Sequence, residues 1–230
     1  MKKRLTAIVL MSVLLIPALR SEELIDKSDP ARFFTLGARL GFNTSNRTFP
    51  NTPTTIYNTD NWGTGFDIGL VANLNIKEYL SIQPGFFFES RSGNHAYLYW
   101  YYDFFSEYQQ YWEMGHSRNF NFTIPVMAVM KFNVMSKIKT SLELGPYFQF
   151  SLKDTGEDIL VPYQLPQSTE FSTYYAERSK FDIGIKMGAG VQIRGHYYLG
   201  VHYLAGMCNT WKNPKGGHNK GWMFTIGYDM

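Results

Sequence analysis

Three observations on this 230-residue sequence predict an all-β chain, an eight-stranded antiparallel up-and-down β-barrel. Eight segments alternate apolar and polar residues with a period of two, which is the signature of strands with one face in each of two environments. The connections between them are short and long by turns, as they are when sequential strands form hairpins. The more polar face of these segments carries ionisable groups and glycines in mid-strand. The length suits one domain and is short for two.

The chain opens with Lys2, Lys3 and Arg4, followed by an apolar run from Ala7 to Leu19 and small or polar residues around Arg20, Ser21 and Glu22. This is the outline of a secretory signal peptide over residues 1–21. The run is too short for a membrane-spanning helix, which needs about 20 residues. Cleavage after Ala18 or after Ser21 both fit, and with no cysteine near the junction a lipoprotein anchor is not expected. Residues 22–32 then form a short segment ahead of a barrel over 33–230.

The strands follow in order. Phe34, Leu36, Ala38, Leu40 and Phe42 alternate with Thr35, Gly37, Arg39, Gly41 and Asn43. Phe66, Ile68, Leu70, Ala72 and Leu74 oppose Gly65, Asp67, Gly69, Val71 and Asn73. Leu80, Ile82, Pro84, Phe86 and Phe88 face away from Ser81, Gln83, Gly85 and Glu89. The fourth sets Phe120, Phe122, Ile124, Val126, Ala128 and Met130 against Asn121, Thr123, Pro125 and Lys131, with Met127 and Val129 making its second face less polar. The fifth sets Leu142, Leu144, Pro146, Phe148 and Phe150 against Glu143, Gly145, Tyr147 and Gln149. In the sixth, Ile183, Ile185, Met187, Ala189, Val191 and Ile193 oppose Asp182, Gly184, Lys186, Gly188, Gly190 and Gln192. Leu199, Val201, Tyr203 and Ala205 oppose Gly200, His202, Leu204 and Gly206. Trp222, Phe224, Ile226, Tyr228 and Met230 end the chain against Thr225, Gly227 and Asp229.

Short turns are predicted at 75–78, 133–137 and 194–196, and long loops at 44–64, 90–118, 153–180 and 208–220. An even strand count with that alternation describes a bacterial outer-membrane barrel with both termini on the periplasmic side.

Alternation alone does not say which face points inward. A soluble lipocalin-like barrel or a two-sheet sandwich buries the apolar face, and a membrane barrel reverses it. Mid-strand glycines weaken a solvated strand for no gain, whereas in a narrow lumen they make room for charged chains facing them across the bore. The apolar face gathers aromatics toward strand ends, as interfacial girdles do, and the last strand is apolar at every second position to its end. The transmembrane arrangement is therefore expected.

The segments Phe122-Thr-Ile-Pro-Val, Glu143-Leu-Gly-Pro-Tyr, Phe181-Asp-Ile-Gly-Ile-Lys-Met-Gly-Ala-Gly and Thr225-Ile-Gly-Tyr-Asp-Met, in this order and spacing, resemble the porin-family, PorT-like outer-membrane β-barrel domain of Gram-negative bacteria. The resemblance covers about residues 33–230. It implies outer-membrane location, contact with outer-membrane lipid and recognition of the C-terminal strand by the assembly machinery. It implies little chemistry. Such barrels end in an aromatic residue, often Phe; this chain ends in Met230, with Tyr228 and Phe224 keeping aromatic character nearby.

An eight-stranded lumen is about filled by its own side chains, so Arg39, Asp67, Glu143, Asp182, Lys186 and His202 are expected to form an interior charge network that plugs the barrel. The second long loop carries Tyr97, Tyr99, Trp100, Tyr101, Tyr102, Phe104, Phe105, Tyr108, Tyr111 and Trp112. An exposed patch of that composition needs a purpose. It extends strands three and four as a packed hairpin, lies on lipid headgroups, or forms a contact surface for a sugar, lipid or protein.

Other chemistry is thin. Without Lys2, Lys3, Arg4 and Arg20, 18 cations remain against 19 anions, which disfavours a nucleic-acid partner. Cys208 is the only cysteine, and His95, His116, His196, His202 and His218 are scattered without metal-ligand spacing, so no cofactor or metal is expected. Glu113, His116 and Ser117 lie close together, but neighbouring strand positions point to opposite faces, so they serve one substrate only if the region is a loop. Gly216, Gly217 and Gly221 lack the strand–loop–helix setting of a phosphate cradle. The expectation is a non-enzymatic scaffold that presents long outer loops to a partner, envelope component or surface ligand. The alternatives are an accessory of a protein-secretion apparatus, then a small lipid-modifying enzyme or narrow channel.

Overall fold

A computed structural model describes residues 24–47, 55–102, 108–162, 177–213 and 215–230. The predicted leader, residues 1–21, lies outside the described residues. Eight strands form a closed barrel: β1 Phe34–Arg47, β2 Thr55–Lys77, β3 Leu80–Tyr102, β4 Tyr108–Met135, β5 Ile138–Pro162, β6 Phe181–Ile193, β7 Tyr197–Gly206 and β8 Asn219–Asp229. Each pairs antiparallel with its neighbour in sequence. β1 and β8 close the ring in register from Gly37↔Asp229 to Arg47↔Asn219. The short pieces Glu177–Arg178, Trp211–Asn213 and Lys215–Gly216 form a small separate sheet at the long-loop end.

The two faces hold opposite chemistry, and the sense is decided by exposure. Phe34, Leu40, Leu70 and Ile226 are 51, 51, 62 and 55 % exposed, while Arg39, Asp67 and Glu143 on the alternate parity are 4, 0 and 4 % exposed. A soluble barrel shows the reverse. The outward apolar stretch of β1, Phe34 to Phe42, is nine positions long, which matches the roughly 9–11 residues a tilted strand needs to cross a bilayer core. Aromatic pairs bracket this band. Phe88 stacks on Phe120 with centroids 5.8 Å apart and Tyr203 meets Trp222 at 4.9 Å toward the long-loop end; Tyr197 meets Tyr228 at 5.7 Å toward the other.

Four strands run further than their alternation indicates, so much of the predicted loops is strand. β3 and β4 stay paired from Leu80↔Met130 to Tyr102↔Tyr108, β4 and β5 to Tyr111↔Pro162, and β2 and β3 to Thr55↔Tyr99. Alternation arises because the two faces meet different solvents, and beyond the bilayer that difference ends although the backbone pairing continues. The β1–β2 pairing stops at Ser45↔Gly63 and the β5–β6 pairing at Phe150↔Phe181. Above those levels β2–β5 continue as a four-stranded sheet, and among the described residues the outer edges of β2 and, past the Ser151 amide bonded to the Lys180 carbonyl, β5 have no strand partner in the barrel.

The short turns are tighter than predicted, at Glu78–Tyr79 and Ser136–Lys137, while the third spans 194–196 as expected. In the third, Arg194 has φ 55° and Gly195 φ 75°, and the His196 amide donates to the Ile193 carbonyl at 3.2 Å. Two successive positive φ values are those of a type I′ hairpin turn. Glycine adopts them at no steric cost and arginine does not. Arg194→Gly is expected to raise the stability of the folded barrel by about 0.5–1 kcal/mol, and Gly195→Val to lower it by more. Urea unfolding midpoints in lipid vesicles measure both.

Candidate functional site

The inward parity of each strand sends its polar side chains to a common axis. Arg39 comes from β1, Asp67 from β2, Glu143 from β5, Asp182 and Lys186 from β6 and His202 from β7; all six are buried. Their direct contacts run partly to one another and partly to inward-facing groups outside the six. Among them only Glu143 and His202 are paired directly, with Oε2 to Nε2 at 2.8 Å. Glu143 Oε1 also accepts from the Tyr198 hydroxyl and the Ser141 hydroxyl, each at 2.8 Å. Arg39 lies over the Tyr198 ring at 4.3 Å and its ion pair, at 2.7 Å, is with Asp229. Asp182 accepts from Tyr147 at 3.2 Å and Asn219 at 2.9 Å. Lys186 sits over the Phe87 ring at 4.8 Å. Asp67 stands in register with Glu89, whose carboxylate pairs with Arg91 at 2.6 Å.

The partners beyond the six expected residues are thus Glu89, Arg91, Asp229, Tyr147 and Tyr198. Glu89, Tyr147 and Asp229 stood on the inward parity, and that was the available signal. Arg91 and Tyr198 lay beyond the predicted strand ends. The glycines also act differently from expectation. A methyl at Gly41 would meet the Asp67 carboxylate of its cross-strand partner, and methyls at Gly190 and Gly200 would meet the Tyr198 ring. Asp67 at Gly41 and Tyr198 at Gly190 come from the neighbouring strand, and Tyr198 at Gly200 from two residues earlier on the same strand, so the room is for nearby side chains and not for ones across the bore.

Around Arg39, Gln83, Glu143, Lys186 and His202 the remaining void is about 10 Å³, no more than one water requires. On the side of the short turns the lumen widens into a cavity of about 290 Å³. Residues 24–33 run along that mouth. Backbone bonds tie Phe33 to Asn75, Ser28 to Glu78 and Leu24 to Asn133, while the Ala31 amide donates to Glu78 Oε1 at 3.1 Å. Lys77 pairs with Asp29 at 2.6 Å and Lys139 with Glu78 at 2.8 Å.

The aromatic segment is mostly strand rather than loop. Tyr97, Tyr99, Trp100, Tyr101 and Tyr102 lie on β3 and Tyr108, Tyr111 and Trp112 on β4, with Tyr99↔Tyr111, Leu98↔Trp112 and Tyr102↔Tyr108 in register. Phe104 and Phe105 lie outside the described residues. Glu113, His116 and Ser117 fall in the same continuous strand, with His116 opposite Asn94 and Ser117 opposite Gly93. The loop that would have let His116 and Ser117 share a substrate is not formed.

Removing one member of a buried pair leaves the other uncompensated, at about 3–5 kcal/mol. Glu143→Ala, which strands His202 and Tyr198, is expected to lower the unfolding free energy by that amount, while Lys77→Ala, at an exposed pair, changes it by less than about 1 kcal/mol. The mouth segment adds a pH dependence. The Lys139 ammonium hydrogen-bonded to Glu78, aided by the Ala31 amide, holds that carboxyl below the usual glutamate range, and Lys77 does the same for Asp29. A depressed carboxyl stabilises above its unfolded value and loses that contribution as pH falls through the folded one. The Ala31 amide resonance in detergent micelles is therefore expected to hold its shift at neutral pH and to move only below the ordinary glutamate midpoint of about 4.3.

Residues 22–210 match the family described as "Outer membrane protein beta-barrel domain". No curated protein matches the chain. Among solved structures it is similar to Ail, the attachment invasion locus protein of Yersinia pestis, in complex with the heparin analogue sucrose octasulfate. The identity is 13%, over 86% of this chain and 100% of that one, at a TM-score of 0.40. It is also similar to OprG from Pseudomonas aeruginosa, with 10% identity over 90% and 98% at 0.45, and to Neisserial surface protein A, with 13% over 87% and 99% at 0.38. With the family match covering most of its length, and with an apolar exterior around a polar, closed bore, this chain belongs to the outer membrane protein β-barrel domain family and is a protein of the bacterial outer membrane.

Proposed function

We propose that the barrel is a closed, non-enzymatic scaffold that holds the β2–β5 sheet outside the cell for a protein or glycan partner to bind. The short-turn end then faces the periplasm with both termini, following the general rule for such barrels. The observation that carries the reading is the sheet above Ser45↔Gly63 and Phe150↔Phe181, where, among the described residues, the barrel pairing of β2 with β1 and of β5 with β6 ends. An open strand edge is a template for an added strand, and the aromatics at 97–112 are the residue types that anchor interfaces. In this reading the outer face of the barrel meets lipid, and the assembly machinery meets β8 during insertion.

The resemblance of the segments at 122–126, 143–147, 181–190 and 225–230 to PorT-like barrels favours a second reading, in which the partner captured is an envelope protein of a secretion apparatus. A narrow channel and a lipid-modifying enzyme are the readings it competes with.

Deleting residues 97–112 is expected to abolish capture of a cell-surface partner while heat-modifiable gel migration, the mark of a folded barrel, persists; capture that survives the deletion would refute the role of this sheet. In planar bilayers the chain is expected to give no steady open conductance, and one wider than a few water molecules would overturn the closed bore.

A further inference from the structure

The cavity on the short-turn side is a blind one. Its inner end stops at the layer of Arg39, Glu143 and His202, and Pro30, Ala31 and Arg32 of the mouth segment narrow its opening. At about 290 Å³ it approaches the lower end of small-ligand sites, roughly 300–1,000 Å³, and exceeds by far the space of a single water. Its wall presents the amides of Asn73, Asn75, Gln83 and Gln192 and the hydroxyls of Thr35 and Ser141.

The charges of the wall are unevenly committed. Its three carboxylates are engaged: Asp229 with Arg39 at 2.7 Å, Glu78 with Lys139 at 2.8 Å and Glu143 with His202 at 2.8 Å. Lys131 is not matched in this way. Its ammonium carries three donors, and the bond it makes among the described residues is to a neutral acceptor, Asn75 Oδ1, at 2.8 Å. Half-buried Lys131 lines a pocket that also carries Arg32, Arg39 and Lys139, four cations against the side-chain carboxylates of Glu78, Glu143 and Asp229, so the wall holds one cation in excess and Lys131 faces these carboxylates without a direct ion pair among the described residues.

We propose that the cavity binds a small carboxylate solute, with Lys131 as its charge anchor and the surrounding amides and hydroxyls holding the uncharged part. A carboxylate accepts from an ammonium in a short, charge-assisted bond, about twice as strong as a neutral one. The amides of Asn73, Gln83 and Gln192 supply both donors and acceptors for a polar backbone, which an apolar guest would leave unsatisfied. The site lies at the opposite end from the β2–β5 sheet, so its failure would leave the scaffold reading standing.

Succinate is the probe, and its uncharged analogue butane-1,4-diol the control. Titration calorimetry on the full folded chain in detergent is expected to show saturable succinate binding at one site per chain and none for the diol. Lys131→Met should weaken succinate binding by about tenfold or more, the loss of one charge-assisted bond. Lys131→Arg should keep most of it, and Lys137→Met, an exposed cation outside this cavity, should leave it unchanged. Thr35→Phe, which fills the cavity without touching a charge, should also abolish binding and decides the matter if Lys131→Met does not fold. Absence of saturable binding in the unaltered chain, equal binding of the diol, or succinate affinity that survives both Lys131→Met and Thr35→Phe would overturn the proposal.

Discussion

In hydrocarbon there is no water to satisfy a backbone amide, so every N–H and C=O that enters the bilayer must find a partner within the protein. A single sheet meets that condition only by closing on itself, and here the closing seam is the run of pairs between β1 and β8 from Gly37↔Asp229 to Arg47↔Asn219. Closure divides space into an outside and an inside with one layer of backbone between them. The two-residue period, the apolar exterior and the ionic interior all follow from that division, because successive side chains on every strand fall into different solvents.

Closure with eight strands also makes the interior too narrow for a conventional core. Buried apolar contact is reduced to small groups such as Tyr147, Leu204 and Met223, and much of the packing is done by hydrogen-bonded polar groups around Glu143, Asp229 and Asp182. Glycines at 41 and 190 receive the side chains of adjacent strands, so volume is balanced locally between cross-strand neighbours. Low dielectric raises the cost of any unpaired member, which is why Arg39 and Glu143 each have several partners. Lys131 stands apart from this pattern because it borders a cavity rather than the packed layer.

The ends of the barrel differ for a related reason. At the short-turn end the strands are tied by tight turns and by residues 24–33. At the other, β2–β5 continue past the bilayer, where water satisfies unpaired edges and closure is no longer compulsory. Strand pairing can therefore end there without the closure that the membrane-spanning part requires.

The sequence by itself determined the class and the number of strands, since Phe34 to Phe42 or Leu142 to Phe150 can alternate in that way only if two solvents are sampled in turn, and the ionisable groups and glycines of the polar parity pointed to the apolar face as the one toward lipid. The tertiary structure alone decided how far β3 and β4 run beyond Phe88 and Phe120, that Arg39 pairs with Asp229 rather than with Asp67 or Glu143, and that Lys131 faces a cavity. The reason is the same in each case: parity is a local property written into every dipeptide, whereas pairing depends on register and stagger between strands up to 190 residues apart, set by the closure of the whole ring and by no single segment within it.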